Sequence, residues 1–129
     1  MASKPTPNNL FTMSNSSLLD NLRDIILVDI PTGINSDNDL KRIEYLLGKL
    51  ANDYSYLITL TGYARNYTRQ LKRQGADFKH DYEDMLDKRD TLESMASAVK
   101  LQYQAVSRML TTKIQIEEEN NLYDYRKSK

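Results

Sequence analysis

The sequence of 129 residues predicts an all-α protein. We expect a long antiparallel helical hairpin, similar to a coiled coil, with a short N-terminal helix and a disordered N-terminal tail. The main observation is a heptad repeat over residues 40–110, in which apolar or small residues recur at alternating steps of three and four. Only Arg89 is a poor fit to this repeat. A second observation is Gly75, which separates a basic stretch from an acidic one.

Composition supports this fold class and excludes several kinds of site. The chain is 40% hydrophobic and 28% charged, with no cysteine and a single histidine, His80. It therefore has neither a disulfide framework nor a Cys-based or two-His metal motif. No apolar run approaches the about 20 residues of a membrane span, and no secretory signal is present. We expect a cytoplasmic protein with no cofactor, no metal, no membrane partner and no small-molecule substrate.

The N-terminal region divides into a polar part and an amphipathic part. Residues 1–16 contain too few apolar side chains to offset the entropy of ordering them, so a disordered tail is predicted. The helical domain then covers residues 17–129. Ser17 can cap a short helix over residues 17–29, although the β-branched run from Ile25 to Ile30 also suits a strand. Pro31 and Gly33 end this element.

The first long helix is predicted over residues 37–74. Residues 35–39 form a cluster of Asn, Ser and Asp, which are preferred N-cap residues, and acids favour the positive end of a helix. Gly48 and Gly62 fall at outward-facing positions of the repeat. They either cost about 1 kcal/mol each or let a neighbouring helix approach closely.

A turn at Gly75 makes the two helices antiparallel. Lys72 and Arg73 precede it, where cations suit the negative end of a helix, and Asp77 and Asp81 follow it, where anions suit the positive end. The second helix is then predicted over residues 77–120, followed by a basic tail over 121–129. Because the heptad phase passes through Gly75, one continuous helix in a parallel coiled coil is the alternative.

The apolar stripe is wider than two helices require. The excess indicates a homo-oligomer, unless the short N-terminal helix covers it. The predicted oligomer interface is Leu46, Ile58, Leu60, Met95 and Met109.

No arrangement of residues suggests catalysis, so we predict that the protein is not an enzyme. The strongest functional pattern is a run of cations at helical spacing with tyrosines between them. Cations neutralise phosphates, and tyrosine rings can stack on unpaired bases. We name as candidate nucleic-acid-binding residues Tyr63, Arg65, Tyr67, Arg69, Lys72 and Arg73. Alternatively, Arg69 and Lys72 only form surface ion pairs with the acids at 81–84.

The order of elements resembles the recombination mediator family of T-even-type phages. The matching positions are 19–29, 63–74 and, loosely, 101–108. Leu71-Lys72-Arg73 partly matches the family's Leu-Lys-x-Arg signature, but Gln74 stands where the family has arginine, and the aromatic pair before the glycine is absent. The resemblance implies a phage-encoded protein in the host cytoplasm that forms ring-like oligomers, binds single-stranded DNA and helps a recombinase to load.

Two functions therefore follow from the sequence. The first is a non-enzymatic, oligomeric accessory protein that binds single-stranded nucleic acid in phage DNA recombination or replication, with a recombination or replication protein as a further partner. The alternative is a structural or adaptor coiled-coil protein, in virion assembly or scaffolding, whose partner is a protein.

Overall fold

The computed structural model describes residues 4–26 and 28–127, and a long hairpin is its main feature. The elements are α1 Asn15–Asn21, α2 Arg23–Ile26, α3 Asp37–Gln74, a 3₁₀ turn Ala76–Phe78 and α4 Lys79–Lys127. α3 and α4 pack against each other along their length, which confirms the predicted all-α hairpin. The chain reverses direction at Gly75, so a single continuous helix in a parallel coiled coil is excluded.

The capping residues predicted for α3 act as expected. The Ser36 hydroxyl accepts a hydrogen bond from the Asp39 N–H at 3.2 Å, and an Asp39 carboxylate oxygen accepts one from the Asn35 N–H at 3.0 Å. The first bond satisfies an N–H group that the first helical turn leaves free, and the second fixes the residue just before the N-cap. α3 therefore begins and ends at the predicted residues.

Gly75 ends α3 because its backbone conformation suits glycine only. Its φ of 89° and ψ of −163° lie in a region that residues with a Cβ avoid. The Phe78 N–H then bonds to the Gly75 carbonyl at 3.2 Å and closes the 3₁₀ turn. α4 therefore begins at Lys79, two residues after the predicted start.

α4 is also longer than predicted. It continues to Lys127, so residues 121–127 of the predicted basic tail are helical, while residues 128–129 lie outside the described part of the chain. The predicted stop at Asn120 and Asn121 was wrong because no glycine or proline follows to break the helix. An ion pair between Lys113 and Glu117, at 3.3 Å and one turn apart, supports the helix before this point.

The N-terminal region differs most from its prediction. Ser14, not Ser17, caps the first helix, because its hydroxyl accepts from the Ser17 N–H at 3.1 Å. The predicted helix over 17–29 is two short helices, α1 and α2, separated at Leu22. Residues 28–30 form neither helix nor strand.

Residues 4–13, which we call the N-terminal strap, were predicted to be disordered and instead pack against α3. Leu10 is completely buried. The Tyr67 hydroxyl donates to the Pro7 carbonyl at 2.9 Å, and the Tyr56 hydroxyl donates to the Pro5 carbonyl. The prediction of a disordered tail is therefore corrected for residues 4–16, and residues 1–3 lie outside the described part.

The strap, α1 and α2 share one hydrophobic core with the hairpin. Leu10, Leu18, Leu22 and Ile25 are buried in the same cluster as the α3–α4 seam, and α1 and α2 both contact α4. Of the two ways to cover the wide stripe, coverage by the chain's own N-terminal region is therefore the one seen. Residues distant in sequence thus cover the apolar stripe that a second copy of the chain could otherwise cover.

One charged residue lies inside this core, and it is the neighbour of Arg89, the charged residue that the heptad repeat placed in the seam. Lys88 is 1% exposed, whereas Arg89, which is out of place in the heptad repeat, is partly exposed. The Lys88 ammonium lies 2.8 Å from an Asp84 carboxylate oxygen one turn earlier. The buried face of α4 thus follows Met85, Lys88 and Leu92.

Tyr56 should make stability depend on pH in the alkaline range. Burial raises the pKa of its phenol from 10.0 to about 12. The neutral phenol is therefore favoured in the folded state; its contribution is fully present below pH 10 and is lost as pH rises through about 12. We expect Tyr56→Phe to be less stable than wild type at about pH 8, by about 1 kcal/mol for the missing hydrogen bond, and this difference to shrink at about pH 11.

Urea unfolding of both proteins at about pH 8 and about pH 11 measures this effect, because only the higher pH approaches the raised phenol pKa. Tyr45→Phe, which removes the phenol of a 57% exposed tyrosine, is the control. An equal difference between Tyr56→Phe and wild type at both pH values would contradict the prediction.

Candidate nucleic-acid interface

The candidate nucleic-acid-binding residues lie on the last three turns of α3, next to the turn at Gly75. Helix α3 places residues three or four positions apart on the same face, whereas residues two apart point in different directions. Arg65, Arg69 and Lys72 therefore share one edge of α3, which we call the cation edge. Tyr63 and Tyr67 lie on another edge.

The cations of this region are exposed and mostly free of acidic partners. Arg65 is the exception, because its guanidinium lies 2.7 Å from a Glu93 carboxylate oxygen on α4. Arg69, Lys72 and Arg73 are exposed and form no salt bridge with any residue in the described ranges. The alternative in which Arg69 and Lys72 pair with the acids at 81–84 is therefore not the arrangement seen. These three cations remain available for an anionic ligand.

The tyrosines are less available than the sequence suggested. Tyr67 is half-buried, and its hydroxyl donates to the Pro7 carbonyl. The Phe11 ring packs edge-on against the Tyr67 ring, with 5.7 Å between the two ring centroids. Tyr63 is 42% exposed and lies 6.4 Å from Tyr67. Phe11, Tyr63 and Tyr67 thus form an aromatic edge. The expected interleaving of tyrosines with Arg65, Arg69 and Lys72 does not occur.

A polar strip connects the two edges. Asn66, Gln70 and Arg73 are exposed and follow one another at steps of four and three, so they lie between the cations and the aromatic rings. A single strand of nucleic acid that crosses α3 here would meet a cation on one side and an aromatic ring on the other. Phe11, which is 43% exposed, belongs to this surface but was missed, because it lies in the segment expected to be disordered.

The charge around the hairpin tip is mixed. Asp77, Asp81 and Glu83 are exposed near the same turn. The region therefore has no extended positive field, and attraction of a polyanion must depend on short-range contacts with the free cations.

No protein-family model matches the chain, and no match was found among the curated proteins or among the solved structures. The resemblance to the phage recombination mediators therefore stays a prediction. Within residues 4–26 and 28–127, no helix has both the length and the apolar character to cross a membrane. The same ranges contain no group of three or more His, Cys, Asp or Glu residues arranged to hold a metal ion.

The predicted oligomer interface is mostly inside the folded chain. Leu46, Leu60 and Met95 are buried, and Ile25 of α2 lies beside Met95. Met109 is half-buried and Ile58 is 46% exposed. The assignment of Leu46, Leu60 and Met95 to an accessible interface is therefore corrected, because the N-terminal region shares their core. Ile58 is the one member of the predicted set that is largely accessible.

Proposed function

We propose that this protein is a non-enzymatic, self-associating accessory protein that binds single-stranded nucleic acid through the end of α3. The observation that carries the proposal is the group of three exposed cations without acidic partners in the described ranges, Arg69, Lys72 and Arg73, within two helical turns. The resemblance to phage recombination mediators supports a role in DNA recombination or replication, with a recombination or replication protein as a further partner.

Binding would use contacts that do not depend on sequence. The cations would neutralise phosphates and release counterions, and Tyr63 and Phe11 offer exposed rings for stacking. A single strand suits this surface better than a duplex, because bases must be unpaired to reach the aromatic edge. Few cations and a mixed charge nearby favour weak binding that is sensitive to salt.

A second candidate is an adaptor whose partner is a protein. It is favoured by a groove between α3 and α4 in which Ile58 and Tyr103 are 46% and 39% exposed. Apolar surface of this kind is typical of a protein interface.

The test of nucleic-acid binding is a double charge reversal, Lys72→Glu with Arg73→Glu. We expect weaker binding of a fluorescent single-stranded oligonucleotide. The dependence of log affinity on log salt should also flatten, by about 0.7 for each phosphate that the variant no longer neutralises. Fluorescence anisotropy across a salt series measures both quantities. The melting temperature should fall by only a few degrees, because both side chains are exposed and outside the core, while an acid at the negative end of α3 costs about 0.3–1 kcal/mol at each position.

The matched control is Arg23→Glu with Arg108→Glu, which makes the same change in net charge on α2 and α4, away from the end of α3. The control should keep the wild-type affinity and salt slope. Equally weakened binding in both double variants would mean that only net charge matters. Absence of binding by the wild type at low salt would overturn the proposal and leave the adaptor function.

A further inference from the structure

The N-terminal strap is attached to the rest of the chain at three points. Leu10 is fully buried in the core that the strap shares with α3 and α4. The Tyr56 hydroxyl donates to the Pro5 carbonyl. The Tyr67 hydroxyl donates to the Pro7 carbonyl at 2.9 Å. Because Tyr56 and Tyr67 are about three helical turns apart, they lie on the same edge of α3, and the strap is fixed along that edge.

The strap also has local structure of its own. The Thr6 N–H donates to a side-chain oxygen of Asn9 at 2.6 Å, and the Asn9 N–H donates to the Thr6 hydroxyl at 3.3 Å. The Leu10 N–H donates to the Thr6 carbonyl at 2.9 Å, which closes one helical turn. Leu10 is 0% exposed, whereas its neighbour Phe11 is 43% exposed. The position of the Phe11 ring therefore depends on the docking of Leu10.

Phe11 adds an exposed ring to the aromatic edge. Its ring centroid lies 5.7 Å from that of Tyr67, which in turn lies 6.4 Å from that of Tyr63. Phe11 and Tyr63 are 43% and 42% exposed, whereas Tyr67 is half-buried. Bases of a single strand can stack on exposed rings of this kind. One of the two well-exposed rings of the aromatic edge thus comes from the strap and not from α3.

We propose that docking of the strap on α3 regulates nucleic-acid binding: the docked strap completes the surface with Phe11, and a bound single strand holds the strap in place. Leu10 is then a positioning residue, since it acts on the nucleic acid through Phe11. The inference rests on the proposed binding of single-stranded nucleic acid at the end of α3. Such coupling is reciprocal, so the factor by which docking raises the affinity for a strand is also the factor by which the strand stabilises docking.

The contacts of the strap favour assistance to binding over blockage of the surface. A base that stacks on the exposed part of the Phe11 ring leaves Leu10 in the core. A base that replaced Phe11 on the Tyr67 ring would have to displace the strap, which would expose Leu10. It would also break the hydrogen bond from the Tyr67 hydroxyl to Pro7. Stacking on Phe11 has neither of these costs.

The first test is the affinity of the full chain for a fluorescent oligodeoxythymidylate, measured by fluorescence anisotropy, with circular dichroism to check the fold of each variant. We expect Phe11→Ala to weaken binding at least about fivefold, the lower end for the loss of one base–aromatic stack. Leu10→Ala should also weaken binding, but by no more than Phe11→Ala does. Adding Leu10→Ala to Phe11→Ala should change the affinity by less than about twofold, because the ring through which Leu10 acts is already absent.

Two controls carry matched substitutions outside the strap. Leu50→Ala truncates another fully buried leucine, on α3 at a distance from the candidate site, and Tyr45→Ala removes a 57% exposed ring near the start of α3. Both should keep the wild-type affinity. The inference would be overturned by losses that add in the double variant, or by a loss for Leu50→Ala equal to that for Leu10→Ala. Tighter binding by Leu10→Ala would mean that the strap blocks the surface, which also overturns it.

Hydrogen exchange of the strap amides tests the coupling in the other direction. The Leu10 N–H donates to the Thr6 carbonyl at 2.9 Å, and the Met13 N–H donates to the Asn9 carbonyl at 3.0 Å. A helical segment this short is not stable without packing, so both amides exchange when the strap leaves α3. Their exchange rates therefore measure docking, and a strap with a purely structural role would not respond to nucleic acid.

A saturating concentration of the oligodeoxythymidylate should slow the exchange of both amides at least about fivefold, the same factor that Phe11→Ala removes from the affinity. The Leu40 N–H, which donates to the Ser36 carbonyl at the start of α3, is the control and should keep its rate. Unchanged exchange in the strap, or equal slowing of the Leu40 amide, would overturn the inference.

The outcomes separate this inference from the proposed function. Absence of binding by the wild type at low salt would overturn both. Binding that Lys72→Glu with Arg73→Glu weakens, but that Phe11→Ala and Leu10→Ala leave unchanged, would overturn the role of the strap alone.

Discussion

Replacing Leu10 with alanine is expected to lower the free energy of unfolding by about 2–5 kcal/mol, the range for truncating a fully buried leucine. Leu10 is 0% exposed and shares the core of α3 and α4, although it lies in a segment whose composition is typical of a disordered tail. The destabilisation combines fewer apolar contacts with a cavity that the strap cannot fully close. Urea unfolding followed by circular dichroism measures it.

Leu19→Ala is the matched control, because Leu19 is 45% exposed in α1 and its replacement should cost well under about 1 kcal/mol. If Leu10→Ala and Leu19→Ala are equally mild, the strap does not contribute to the core in solution. In that case the disordered tail predicted from composition would be correct.

Asp84→Ala should destabilise the protein by about 1–3 kcal/mol, the cost of leaving the buried Lys88 ammonium without a partner, because the Asp84 side chain is 41% exposed and water already screens part of the attraction. Lys88 is 1% exposed and its ammonium has the Asp84 carboxylate at 2.8 Å. Lys88→Met should be near neutral or stabilising, because the ammonium is removed and an apolar chain of similar length fills the same space. The contrast between these two variants identifies the buried charge as the cause.

Asp87→Ala controls for the removal of an acid near the start of α4, because Asp87 is exposed. Thermal and urea unfolding of the three variants give the comparison. A mild Asp84→Ala, similar to Asp87→Ala, would show that the Lys88 ammonium reaches water without its partner.

Local signals predicted the hairpin well. α3 begins after Ser36 and ends before Gly75, as predicted. Both signals can be identified in the sequence because capping and a glycine-only conformation act over three or four residues. The same argument failed for the end of α4, since the asparagines at 120 and 121 do not break a helix that the Lys113–Glu117 ion pair supports one turn earlier and that no glycine or proline interrupts.

The N-terminal strap could not be predicted by composition because its partners are distant in sequence. The strap has few apolar side chains, among them Leu10 and Phe11. Ordering the strap is nevertheless favourable, because α3 helps to bury Leu10 and supplies the Tyr56 and Tyr67 hydroxyls that donate to its proline carbonyls. The strap also explains why Tyr67 differs from its prediction as a nucleic-acid-binding residue. Its hydroxyl donates to Pro7 and its ring contacts Phe11, both of which belong to the strap. Among the candidate cations, Arg65 has an acidic partner on α4 that its spacing along α3 could not reveal.

The strap also has a consequence for the order in which the chain folds as it is made. Pro7 is synthesised 60 residues before the tyrosine whose hydroxyl donates to its carbonyl. At about 5–20 residues per second, a ribosome needs roughly 3–12 s to supply that partner. During this interval Leu10 has no core to enter, and α4, which completes that core, emerges later still. The strap therefore leaves the ribosome before the surface that it binds on α3, and it stays accessible to chaperones and proteases until α3 and α4 have been made.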